Sequence, residues 1–538
     1  MDMEGRCGLD LTNQNLADDH RIQPVGCTIE LRLLAPVQGS GQVIARAVFE
    51  SIFGEKVMRV CARFRIVGWA MIWMACCSAL LALDVPKGAS KGAAASLQGA
   101  YRFERDHWIY VHLQGSPRRI GYQHGWLLAP EIEDALAAVK LEDTHETKRD
   151  WEFFRKTAKD VLWPHIDQEY RQELEGIAAG AAAHGIHLDL WDIVALNAME
   201  DVPDYYVPWL DRQEKRAGAP RLRAPGNCSA FVATGAWTKD HEPVIAHNNW
   251  TSFMVGERWR IIFDVVPSRG LHFLMDGFPG VIASDDDFGI NSAQLAITET
   301  TITGFASFDP NGKPEFVRAR KALQYATSVD EFVRIMLEKN NGGYANDWLL
   351  ADYKTGEIAR LELGLKMHKV WRTRDGYLAG ANYPVDPEFT KAETDFDPAN
   401  QASSPNARRQ RWDELLAANK GKIDADIAQT LLADHWDSFE GKAARNERAL
   451  CGHVQASPRG VPEWEWAAYN PGGAVSAKAA DSKLAKVLAF RARAGQPCGE
   501  DFLAGQFLQE HPEFDWQRPL LQDMKGNPWA EFKAGDRP

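Results

Sequence analysis

The chain has 538 residues, 45% of them apolar and 25% charged, with a formal net charge of −13. That size accommodates two or three average domains or one large enzyme, and the apolar share suffices for a large core. The acidic balance argues against a nucleic-acid-binding protein, which usually presents a basic face.

Residues 1–57 show no clear pattern and read as an over-extended start, with Met58 as the alternative initiator, or as a disordered N-terminus. MRVCARFR (58–65) is basic, and IVGWAMIWMACCSALLAL (66–83) carries no charge. This order is that of a secretory signal, so 58–97 is expected to be a signal peptide with a short spacer and the protein to be secreted or periplasmic. A retained membrane anchor at 66–83 is the alternative.

The next segments follow in chain order. Residues 101–114 contain an alternating strand, and LLAPEIEDALAAV has helical spacing after a Gly-containing turn. Residues 165–201 read as two helices, with Gly176 and Gly180 giving the first a small face for close packing. Residues 203–227, rich in Pro, Gly and charge, read as an exposed loop. Pattern returns at CSAFVAT and VIAHNNW, which form a hairpin across GAWTKDHEP. Strands are expected at 257–266, 271–275 and 291–300, helices at 314–326 and 328–340, and a second β block at 346–364, 367–373 and 376–383. Helices return at 407–419 and 424–436, and the tail from 451 shows no long periodic element. The expected fold is a layered arrangement of helices and mainly antiparallel strands. No internal repeat, GxGxxG, P-loop, HExxH or paired CxxC is present, so no metal or organic cofactor is implied.

Of the eight cysteines, only Cys228, Cys451 and Cys498 follow the signal segment. In an oxidising compartment Cys451 and Cys498 can form a disulfide, which leaves Cys228 as a reactive thiol. The alternative is that all three are small buried apolar groups. Cys228 opens a strand directly after a loop, and that position has a chemical use. Scission of the Asn227–Cys228 bond would give Cys228 a free α-amine, whose ordinary pKa of about 7.7–8 suits a general base at neutral pH. One residue would then supply nucleophile and base.

Cys228-Ser229-Ala230 and His247-Asn248-Asn249-Trp250 resemble the phospholipase B-like family, within the N-terminal-nucleophile hydrolases and near the penicillin acyltransferase-like autoproteolytic group. Four further elements, in the same chain order, carry the resemblance across residues 100–530. They are Gly121-Tyr122-Gln123-His124-Gly125, Glu173–Ala178, Ala381-Asn382-Tyr383, and Ser403-Ser404 followed by Arg408-Arg409. The resemblance implies an α+β fold, a four-layer αββα sandwich with two mainly antiparallel sheets. It implies that 98–227 and 228–538 are two chains of one domain that stay associated after cleavage. It also implies roles: Cys228 as nucleophile, Asn382 as oxyanion donor, and Arg409 or Arg408 as the group that stabilises the thiolate. Asn248, with His247 second, would orient the nucleophile where relatives place an aspartate, and Trp250 would line the substrate site. The implied substrate is an acyl lipid, with contact at a membrane surface, or a small N-acyl compound. The competing expectations are an acyltransferase or amidase, a non-catalytic binding protein of the same fold, and a papain-like hydrolase with His247 as separate base.

Overall fold

The computed structural model describes residues 91–214, 228–284, 288–305 and 307–538. Asn227 and the signal-like stretch 58–83 lie outside the described residues. Among the described residues, no helix is long and apolar enough to cross a membrane.

Two sheets form the centre. The first has nine strands in the spatial order β1 (Tyr101–Arg105), β2 (Trp108–Gly115), β5 (Ile261–Pro267), β6 (Phe273–Gly277), β7 (Gly289–Asn291), β8 (Leu295–Thr301), β9 (Asn346–Asp352), β10 (Glu357–Leu363) and β11 (His368–Thr373). The second has six: β12 (Gly376–Gly380), β3 (Ser229–Thr234), β4 (Val244–Ser252), β13 (Gly472–Asp481), β14 (Ala489–Ala494) and β15 (Ala530–Lys533). Only β2 and β5 run parallel; the other neighbours are antiparallel. Strand β2 precedes Cys228 and β5 follows it, so the two sides of residue 228 share one sheet.

Alternation along the strands makes the layers. In β2, Ile109, Val111 and Leu113 face helices α1 (Pro117–Leu127), α2 (Ala129–Thr147), α3 (Gln168–His184), α4 (Glu315–Tyr325) and α5 (Val329–Met336). Trp108 and Tyr110 face the other sheet, packing with Phe490, Ala492 and Phe532. In β3, Ala230 and Val232 face the first sheet, while Phe231 and Ala233 pack on Trp412 and Leu416 of α6 (Ser404–Ala418) and Ala428 and Leu431 of α7 (Ala425–Leu432). A period of two thus buries both faces of each sheet, and the result is the four-layer αββα sandwich.

Helices α1 and α3 cross at backbone contact. A Cβ on Gly121 or Gly125 would lie 1.9 or 2.0 Å from the carbonyl oxygen of Glu173 or Ile177. A Cβ on Gly176 or Gly180 would meet the carbonyls of Arg118 and Tyr122 at 2.4 and 2.1 Å. Between the sheets, Lys478 of β13 and Asp276 of β6 form an ion pair at 2.7 Å with both side chains fully buried. Ser284 Oγ donates to Asp276 Oδ1 at 2.9 Å, and Lys478 Nζ donates to Ser476 Oγ at 3.2 Å.

Two expectations need correction. Residues 203–214 are not loop: a π-helical turn, Val202–Tyr206, runs into the helix Val207–Glu214. The wider turn accommodates Pro203 and Pro208, which an unbroken α-helix would resist. The tail from 451 also holds three strands of the second sheet, including the ten-residue β13. GGAVSAKAAD is built from small residues with little hydrophobic contrast, so burial on both faces left no periodic signal.

Candidate active site around Cys228

Cys228 immediately precedes β3, is fully buried, and has φ +96°. That region is costly for a residue with a Cβ and marks strain held by the surroundings. The register of β3 on β4 pairs Ala230 with His247 and Ser229 with Asn248. Cys228 therefore falls opposite Asn249, and its Sγ donates to Asn249 Oδ1 at 3.9 Å. Beyond Asn249 the pairing of β4 with β13 is bulged between Ala474 and Ser476, a distortion that re-aims side chains at a strand end.

The same alternation separates the residues of the HNNW stretch. Ile245 and His247 point between the sheets, with the His247 ring centroid 6.5 Å from that of Phe288. Val244 and Ala246 point to the helix layer, and Asn248 goes with them. Its Nδ2 donates to the carbonyls of Leu432 at 2.8 Å and Leu450 at 3.0 Å. Asn248 was expected to orient the nucleophile; the structure turns it away, and Asn249 occupies that place. His247 stays close: its ring nitrogen, Cys228 Sγ and a carboxylate oxygen of Glu299 all lie within 4.8 Å of one another. Tyr344 donates to Glu299 Oε1 at 3.1 Å.

Arg408 holds the backbone end of the site. Ser403 caps α6 by accepting from Asn406 N at 3.4 Å, which starts the helix so that Arg408 lies one turn in. The buried guanidinium donates to Cys228 O at 2.8 Å, Ser229 Oγ at 2.7 Å, Asn382 Oδ1 at 2.8 Å and Ser404 Oγ at 3.0 Å. Its carbon stands 4.3 Å over the Trp250 ring and 5.6 Å over Trp464. Burial pulls the Arg408 pKa down to about 9, and the Cys228 sulfur opposes that shift, so the group stays cationic at neutral pH. Arg409, one residue further round the helix, is exposed and stacks 4.8 Å over Tyr383. Of the two arginines offered for this role, only Arg408 reaches Cys228.

Asn382 sits just past β12 with φ +67°. Its Oδ1 accepts from Arg408, and its Nδ2 donates to Thr301 O at 2.9 Å. In this state the amide bridges Arg408 and the first sheet. Trp250 is fully buried, so it forms the platform under Arg408 in place of the expected substrate wall. Cys451 and Cys498 are not joined by a disulfide, contrary to expectation; both lie beside histidines, and Cys498 Sγ is 3.6 Å from His453 Nε2.

Sequence reading missed Glu299, Asn249 and Ser229. The signal for Glu299 was a lone acid inside the strand-forming run ITETT. For Asn249 it was parity: counting two-by-two from the apolar Ile245 selects 247 and 249.

The site is thus a buried cysteine at the head of a central strand in a four-layer sandwich. A family model, Phospholipase B, matches residues 137–371. It is 25% identical over 333 residues to putative phospholipase B-like 1 of Caenorhabditis elegans, covering 56% of this chain and 56% of that protein. It is 34% identical over 207 residues to phospholipase B-like protein F of Dictyostelium discoideum, covering 34% of this chain and 36% of that one. The chain thus spans about half or less of the length of these curated relatives. Among solved structures, penicillin V acylase from Agrobacterium tumefaciens aligns with 50% of this chain and 83% of its own at 15% identity, with a TM-score of 0.28.

Proposed function

We propose that the protein is an exported, self-processing hydrolase of acyl ester or amide bonds, phospholipase B-like in its preference for lipid, with Cys228 as nucleophile. The observation that carries this reading is the setting of Cys228: a buried thiol on strained backbone at the head of β3, with its carbonyl clamped by Arg408 and its sulfur beside Asn249. In maturation the Cys228 sulfur attacks the Asn227 carbonyl carbon. The C–N bond breaks, the departing nitrogen takes a proton and becomes the α-amine, and water hydrolyses the thioester to leave a carboxylate on Asn227. Release of the strain at φ +96° favours that step. In turnover the amine accepts the thiol proton, the sulfur acylates, and the leaving alcohol or amine takes the proton. Water then attacks the thioester through the same amine, freeing the acid. The sheet shared by β2 and β5 is what would keep the two chains together.

His247 supports a second reading, in which the chain stays whole and the imidazole is the base, because its ring nitrogen lies within 4.8 Å of the thiol. Intact-mass measurement of purified wild type and Cys228→Ala, alongside fatty-acid release from phosphatidylcholine and from an N-acyl amide, separates the readings. Self-processing predicts two fragments, the second beginning Cys-Ser-Ala-Phe, an intact Cys228→Ala chain, and faster release from the phospholipid. An unprocessed chain that releases acid and loses this on His247→Gln establishes the second reading. Release from neither substrate overturns both.

A further inference from the structure

Away from Cys228, four metal-ligating side chains meet at one point. His435 follows α7, Cys451 and His453 flank Gly452 in the next loop, and Cys498 lies in the turn after β14. All four come after residue 371, beyond the stretch that the family model matches. Their donor atoms all lie within 4.8 Å of one another. His435 Nε2 is 2.9 Å from His453 Nε2, and His453 Nε2 is 3.6 Å from Cys498 Sγ. Zn²⁺ in a tetrahedral set, with Zn–S of about 2.3 Å and Zn–N of about 2.0 Å, spaces its donors roughly 3.3–3.8 Å apart. The 3.6 Å spacing lies in that range, and the 2.9 Å spacing falls short of it by about 0.4 Å, a gap that a small rotation of the two imidazoles closes. We propose that His435, Cys451, His453 and Cys498 form a Cys₂His₂ site for a structural Zn²⁺ ion.

Three observations support this assignment. First, the backbone that presents the ligands is already held: Cys451 N donates to Asp434 O at 3.0 Å, His453 N to Asn446 O at 3.2 Å, and Ala444 N to His435 O at 2.7 Å. Second, a zinc-binding imidazole donates its other ring N–H to an outer acceptor. The Gln455 amide lies 3.3 Å from His453 Nδ1, and Gln455 Oε1 has no partner among the described residues. Turning that amide over places the oxygen on the Nδ1–H. Third, two thiolates and two neutral imidazoles suit Zn²⁺, and four protein ligands leave no open position, which defines a structural centre and not a catalytic one. Binding releases the two thiol protons and gives a neutral centre.

The site stands behind the strand that carries His247 and Asn249. Leu450 O accepts from Asn248, Gly452 O accepts from Ala474 N at 3.0 Å, and a Cβ on Gly452 would come within 2.4 Å of the Trp250 indole. The ion would therefore tie together the loop that backs β4 and the turn after β14.

The test is the metal content of the tag-free, full-length protein, measured by plasma mass spectrometry after desalting. One zinc per chain is expected, with Cys228→Ser retaining it in full and Cys498→Ser or His453→Ala reducing it at least fivefold. Reconstitution with Co²⁺ should give the visible d–d bands and thiolate charge transfer of a tetrahedral S₂N₂ site. Because the wild-type stoichiometry is itself a readout, a variant that fails to fold does not blunt the test. Wild-type protein without stoichiometric metal, or a peptide map showing a Cys451–Cys498 disulfide, overturns the proposal. So does equal zinc loss in Cys228→Ser, which would place the ion at the other thiol.

Discussion

Cys228 and Asn249 face each other across the β3–β4 ladder, thiol to amide oxygen at 3.9 Å, while Asn248 points to the outer helix layer. Two adjacent asparagines thus have opposite surroundings, and the proposed self-processing involves only the second. Asn249→Ala should slow self-cleavage at least tenfold and change unfolding free energy by less than about 1 kcal/mol, because it removes one weak contact to sulfur. Asn248→Ala leaves the carbonyls of Leu432 and Leu450 without that donor and should cost roughly 2–4 kcal/mol, with normal processing of whatever folds. Urea denaturation and gel-resolved cleavage kinetics on both variants decide it.

Arg408 satisfies four acceptors with one planar fork, which a lysine cannot reproduce. Arg408→Lys should abolish acyl release and lower stability by about 3 kcal/mol or more, since it breaks up a buried charge and its partners. Arg409→Ala, on the exposed side, should stay within about 0.5 kcal/mol of wild type in the same denaturation experiment.

The glycine contact between α1 and α3 predicts a sharp positional contrast. Gly121→Ala or Gly176→Ala drives a methyl into a backbone carbonyl and should destabilise by about 3 kcal/mol. Gly505→Ala sits in a helix with nothing within 4 Å of the new Cβ and should stabilise by roughly 0.5–1 kcal/mol. Thermal melts of the three variants measure both signs.

His124 supplies a pH dependence. Its Nε2 accepts from Gly280 N at 2.9 Å, and burial, aided by the Arg320 charge, lowers its pKa to about 3. Below pH 6.5 the unfolded chain binds a proton that the folded chain refuses. Stability from this group is therefore complete above pH 6.5 and falls as pH drops toward 3, by about 1.4 kcal/mol per unit. His124→Gln, which keeps an acceptor for Gly280, should lose about 2 kcal/mol less than wild type between pH 7 and pH 5 in denaturant titrations.

The hairpin that carries the site was legible because β-formers alternate on both sides of a polar turn, and the small face of α3 because glycines recur four apart. The choice within HNNW was not, since the parity of a strand is decided by its partner's register, and three polar residues in a row hide which side is in. Strand β13 was hidden because alanine and glycine read alike in a core and on a surface. The convergence of His435, Cys451, His453 and Cys498 could not be read from spacing, because the fourth ligand comes from a turn 45 residues after the third.

The Lys478–Asp276 pair sits directly beside this chemistry, for Lys478 is the cross-strand partner of His247. It works as a dowel between the two halves of the sandwich. Apolar side chains alone would tolerate a small slide of one layer over the other, but any slide here strands an ammonium and a carboxylate in a dry interior at a cost of several kcal/mol. Glu299 on one layer and the thiol on the other are thereby kept in alignment, and a change of position 478 to leucine should loosen that alignment before it unfolds the chain.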